Sequence, residues 1–143
     1  MNKEIALKII NANGRIETLR ELNTRFLQHL AKNCQPERVP SKITVGENKI
    51  SIDCFGYTAV AESRVVDSGD RVFWMEYVFS VNEHDLEYEL WRFYLSPNGY
   101  LETLPNNGDH ICDYDNRYVA DYICKAVLHS ALGSMLFAPK EKN

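Results

Sequence analysis

No apolar run in this 143-residue sequence approaches the length of about 20 residues that a membrane-spanning helix needs. The start, MNKEIALKIINANGR, lacks the unbroken apolar core and small-residue cleavage site of a secretory leader. Cysteine is sparse: Cys34, Cys54, Cys112 and Cys124 are scattered with no CxxC pair, a pattern of buried free thiols rather than a disulfide framework. The four histidines are equally dispersed, so no metal framework is ready-made. Phosphate-binding glycine loops, GxSxG and HExxH are all missing, as are internal repeats and low-complexity tracts. These absences predict a cytoplasmic chain without cofactor or metal.

What is present suits one folded domain spanning residues 1–143, with residues 1–4 and 138–143 as flexible ends. The chain is long enough to bury a core without disulfides or metal, and 45% hydrophobic with 25% charged residues is ordinary for a globular protein. The formal charge of −4 conceals a division. Residues 1–42 carry eight Lys/Arg against four Asp/Glu, residues 43–116 carry four against fourteen, and residues 117–143 carry four against two. Phosphate repulsion by the acidic middle argues against a nucleic-acid platform there. Basic helices packed beside an acidic sheet explain the division within one molecule, and a cationic partner for the sheet is the functional alternative.

The chain is organised around residues 71–101, RVFWMEYVFSVNEHDLEYELWRFYLSPNGYL, which hold nine of its sixteen aromatic residues. Aromatic and β-branched enrichment with no Gly or Pro before Pro97 predicts a hairpin of two strands. A turn centred on Glu83–His84 sets Phe79 opposite Tyr88, Tyr77 opposite Leu90, Met75 opposite Arg92 and Phe73 opposite Tyr94. The other face then carries Val78/Glu89, Glu76/Trp91, Trp74/Phe93 and Val72/Leu95, because side chains alternate. In this register both faces are apolar, Glu76 and Arg92 lie on opposite faces, and helices can cover only one of the two. The second face needs a cover of its own. The long side chains of Arg92, Glu76 and Glu89 are one, and a curled sheet, a ligand or another chain are the others.

Around the hairpin, Ile5, Ile9, Ala12, Ile16, Leu19, Asn23, Phe26 and Leu30 recur at spacings of three and four, one face of an amphipathic helix. Asn11, Asn13 and Gly14 predict a break, so the firm helix is expected from Ile16 to Lys32. ITV at 43–45 and KISIDCF at 49–55 form a first hairpin, and Gly56 reads as a bend in a strand continuing to Val66. Ser96–Gly99 is a turn that returns a short strand at 100–104. Residues 105–117 read as a polar loop, followed by a largely buried helix from Arg117 to Phe137. The fold class is α+β: an N-terminal helix, an antiparallel β-meander of four to six strands, and a C-terminal helix packed on one sheet face.

Asp109, His110, Cys112, Asp113 and Asp115 are the densest set of reactive groups. Their spacing fits neither a zinc site nor a calcium loop, which leaves a polar loop capping the next helix. Cys124 and His129 project apart on their helix, and His29 suits a helix C-terminal dipole. The leading expectation is a non-enzymatic protein-binding domain of adaptor, chaperone, immunity or inhibitor type, binding another chain or itself as a homodimer. Its surface would be Trp74, Glu76, Trp91, Arg92, Phe93 and Tyr94. The alternative is a small-molecule module whose aromatic pocket lies between a curled sheet and the C-terminal helix, lined by Phe73, Tyr77, Trp91, Tyr94 and Tyr122. An enzyme of that form would place Glu76, Arg92 or His110 at the mouth. Nucleic-acid binding through the basic first helix is the weakest of the three.

Overall fold

A computed structural model describes residues 2–33 and 35–139. Helix α1 (Lys3–Lys32) leads into seven strands: β1 (Ile43–Gly46), β2 (Lys49–Cys54), β3 (Tyr57–Asp67), β4 (Phe73–Glu83), β5 (Leu86–Leu95), β6 (Tyr100–Glu102) and β7 (His110–Asp113). Helix α2 (Val119–Leu132) and a short 3-10 turn (Met135–Phe137) follow. Every strand pairs antiparallel with its neighbour in sequence, so the sheet order runs β1 to β7 without a crossover. The α+β class stands, and the expected four to six strands become seven.

Both additional strands have local causes. Phe55 and Gly56 are a tight turn rather than a bend, with left-handed φ values of 53° and 92° that match the right-handed twist of a two-residue hairpin. They divide one expected strand into β2 and β3. The polar loop after residue 104 also yields β7, which pairs with β6 through Leu101↔Cys112 and Glu102↔His110. Helix α1 runs through Asn11, Asn13 and Gly14 without the expected break. Its start is fixed by the Asn2 side chain, which accepts from the Glu4 N–H at 2.8 Å. Helix α2 stops at Leu132, earlier than the expected Phe137, where Gly133 and Ser134 intervene before the 3-10 turn. Of the expected loose ends, Met1 and residues 140–143 lie outside the described residues, as does Cys34.

The central hairpin differs most from expectation. His84 and Asp85 form the turn, both left-handed at 50° and 64°, so Glu83 pairs with Leu86. A bulge then intervenes. Ser80 pairs with Glu89 but Phe79 with Trp91, leaving Leu90 as the extra residue in β5. That one residue reverses the alternation of β5 relative to the expected register. Met75, Tyr77, Phe79, Trp91, Phe93 and Leu95 now share the inner face, and Trp74, Glu76, Val78, Arg92 and Tyr94 the outer. The two apolar faces of the sequence reading resolve into one apolar face and one mixed face.

Both helices pack on the inner face, α1 against β1 and β4, α2 against β2, β5 and β7. Leu19, Phe26 and Leu30 of α1 and Ile123, Val127 and Ala131 of α2 are buried with Ile50, Ile52, Tyr77, Phe79 and Phe93. The Tyr77 and Phe93 rings stack at 4.8 Å, and Phe26 meets both edge-on. One polar link crosses this core: the Tyr77 hydroxyl donates to Asn23 Oδ1, and Asn23 Nδ2 reaches Ser63 Oγ at 3.5 Å. The helices are tied together as well. His29 Nε2–H donates to the Asn116 carbonyl at 2.9 Å, and Asp121 Oδ1 accepts the backbone N–H groups of Glu37 and Arg38.

Deleting Leu90 leaves every β4–β5 pair in place and removes only the bulge. The shortened protein should still unfold cooperatively, destabilised by about 1–2 kcal/mol for the lost half-buried leucine. Urea denaturation measures this; a non-cooperative transition would show that the strands need the bulge itself.

Candidate functional site

On the outer face, one residue from each of five adjacent strands falls into a cross-strand row: Arg64, Glu76, Tyr94, Glu102 and His110. Glu76 is the hub. It accepts a hydrogen bond from the Tyr94 hydroxyl at 3.0 Å and lies 3.7 Å from Arg64 and 3.9 Å from Arg92. Arg92 also donates to Tyr94 Oη and to Glu89, and these two bonds push its guanidinium pKa further upward. With its carboxylate engaged on three sides, Glu76 is the electrostatic anchor of this face. The open part of this face is a shallow groove of about 510 Å³ lined by Val60, Glu62, Arg64, Glu76, Val78 and Glu87.

The six residues expected to form a binding surface are therefore separated. Glu76 and Arg92 meet on the outer face, contrary to the expected register, because the Leu90 bulge brings them to one side. Trp74 and Tyr94 share that face but are buried in it, Trp74 edge-on to Tyr100 at 5.9 Å. Trp91 and Phe93 turn inward to the core. The expected open aromatic face is thus absent from the described structure: its rings are covered by their neighbours. Trp74 Nε1 and Glu102 Oε2 are buried without a hydrogen-bond partner among the described residues.

The layer between sheet and α2, the expected ligand pocket, is filled. Of its expected lining, Tyr77 and Phe93 are wholly buried against Phe26 of α1, while Tyr122 faces outward on α2. His110 and Cys112, neighbours in the expected set of reactive groups, are separated by a second register shift, between Leu101 and Glu102. It sends His110 to the outer face beside Glu102 and Cys112 into the core beside Leu101. Burial pushes the Cys112 thiol up to about 12, with Asp113 and Asp115 adding to the shift, and Cys124 up to about 12 by burial first. Among the described residues, no three His, Cys, Asp or Glu side chains converge as metal ligands, and no helix is long and apolar enough to cross a membrane.

Sequence reasoning missed two surfaces. The first is the N-terminal half of α1, which runs on past the sheet. Leu19 is its first buried residue, and before it Ile5, Leu7, Ile9 and Ile10 are 51%, 59%, 55% and 66% exposed. Leu7 and Ile10 lie off the core-facing stripe, and that was the available signal. The second is a groove between residues 38–39 and α2, which long-range packing alone assembles. Comparison with known proteins gives no further guide: no protein family, no curated protein and no solved structure matches this chain.

The raised thiols carry a chemical prediction. Cys112 and Cys124 should resist alkylation at pH 8 in the folded protein and react only on unfolding, as read by mass mapping of labelled peptides. The sign for stability follows. Unfolded thiols ionise near 9 while the folded ones stay protonated, so stability is full below pH 9 and falls as pH rises toward 12.

Proposed function

We propose that this chain is a non-enzymatic protein-binding domain that docks through the N-terminal half of α1. One observation carries the reading: four large aliphatic side chains within two helical turns stand more than half exposed on a helix that has left its own core. Such a patch on a soluble domain marks an interaction surface. A free helix of this length is marginal in water, and before Leu19 none of its side chains is fully buried, Arg15 reaching the fold by donating to the Arg71 carbonyl at 3.1 Å.

The arm from Lys3 to Thr18 is about 24 Å long. Ile5 and Ile9 continue the core stripe, whereas Leu7 and Ile10 point to other sides. A flat surface would cover only part of it, so a groove or a pair of helices on the partner fits better. Lys3, Lys8 and Arg15 outnumber Glu4 and Glu17 along the arm, which favours an acidic rim around that groove. The partner is another protein chain or a second copy of this one. The adaptor, chaperone, immunity and inhibitor types all remain within this reading. Free thiols at Cys54, Cys112 and Cys124 support a reducing, cytoplasmic setting.

A photo-crosslinking residue placed at Ile10 in the producing cell should yield one discrete adduct. Ile9→Glu should abolish it while changing the melting temperature by no more than about 2 °C, since exposed substitutions cost within about 0.5 kcal/mol. Absence of any discrete adduct from positions 5, 7, 9 and 10 would sink the reading.

A further inference from the structure

The groove between the α1–β1 connector and α2 stands apart from the α1 arm, and the inference drawn from it does not depend on the docking reading. It encloses about 440 Å³ and is lined by Arg38, Val39, Tyr118, Asp121, Tyr122 and Lys125. That volume lies within the range of small-molecule sites, roughly 300–1,000 Å³. We propose that this groove binds a planar aromatic ring carrying a phosphate group.

A clamp holds the groove open between the connector and α2. Asp121, in the first turn of α2, accepts the backbone N–H groups of Glu37 and Arg38 at 2.9 and 3.1 Å. This clamp fixes the connector against the helix and consumes one carboxylate oxygen, so Asp121 works as a fastener. The Arg38 guanidinium is then carried over the Tyr118 ring at 6.0 Å, and Arg117 lies over the same ring at 5.5 Å. A guanidinium steadied over an aromatic ring keeps its N–H donors pointing outward in its own plane, free for an anion.

Charge is the second element. Arg38, Arg117 and Lys125 make no ion pair with a described carboxylate, unlike Arg64 and Arg92 on the sheet. Just beyond the clamp, Lys32 and Arg117 line an adjoining groove of about 290 Å³ together with Glu37 and the clamping Asp121. Several unpaired cations around one concavity suit a dianion such as phosphate, which Arg can grip bidentately and Lys as a point charge. This cationic spot belongs to a molecule whose middle segment is strongly acidic.

The apolar wall is the third element. Tyr118, the N-cap of α2, and Tyr122, one turn further on, are 37% and 43% exposed, and Val39 lines the groove with them. Two tyrosine rings beside unpaired cations offer a stacking surface for a flat group whose charge lies at its edge. Neither a bare anion nor an uncharged ring would use both parts. A nucleoside monophosphate and a phosphorylated phenol share the required chemistry.

The test is calorimetric titration of the full chain with inorganic phosphate, phenyl phosphate and adenosine monophosphate, with amide shift mapping by NMR. At least one ring-bearing phosphate should bind about tenfold or more tightly than inorganic phosphate, and Arg38→Ala should weaken it by a similar factor. Tyr118→Leu should erase the advantage over inorganic phosphate, and Lys125→Gln should weaken all three compounds. The shifts should centre on residues 36–39 and 117–125. Tighter binding of the nucleotide would identify a nucleotide site, and tighter binding of phenyl phosphate a phosphophenol site. No binding of either ring compound would overturn the proposal. So would equal affinity in Arg38→Ala and Lys125→Gln, or shifts centred elsewhere.

Discussion

The bulge at Leu90 is the constraint on which the rest of this structure depends. A sheet side chain has only two directions, and a one-residue slip exchanges them for everything downstream. With Leu90 set aside from the pairing, Trp91, Phe93 and Leu95 meet the helices while Arg92 and Tyr94 face out. Without that shift Arg92 would enter the core, where an uncompensated charge costs several kcal/mol. Phe93 and Leu95 would reach water, each forfeiting about 1.5–3 kcal/mol. The energetic contrast is large enough to hold the irregularity in place.

Both layers then follow from where the aromatic residues sit. Phe26, Tyr77 and Phe93 form the contact that seats α1, and the buried Tyr77–Asn23 bond makes that seating specific. A hydrocarbon at position 23 would pack but would leave the tyrosine hydroxyl unpartnered. On the far side of the sheet the same displacement assembles Glu76 with two arginines and Tyr94. An apparently redundant set of aromatics and charges thereby becomes one core and one electrostatic network.

Much of the architecture was legible from local chemistry. The α1 stripe, the aromatic hairpin, the Ser96–Gly99 turn and a buried last helix all follow from periodicity and turn residues. What escaped depended on irregularity or on distance. Phe55 in a left-handed turn is an unusual choice, because a bulky side chain pays for that conformation, so the Phe55–Gly56 turn read as a bend. Strand β7 is short and polar, and it forms because β6 supplies its partners. No composition rule announces a bulge inside an aromatic run. Glu76 and Arg92 were recognised as a notable pair, but their meeting depends on that bulge. The groove at Tyr118 joins residues about 80 positions apart through the Asp121 clamp, beyond any local signal.

The uninterrupted strand order has a consequence for the history of each molecule. Every strand joins the one made just before it, so the sheet can grow by short loop closures. Helix α1 has the opposite circumstance: it is synthesised before the sheet, but Phe26 must wait for Phe93. At about 5–20 residues per second, that interval lasts roughly 3 to 13 s during translation. For that time the whole length of the helix is in the condition that its first half keeps in the finished fold. An exposed apolar segment therefore emerges ahead of the sheet, and the completed sheet later buries side chains of the trailing half alone.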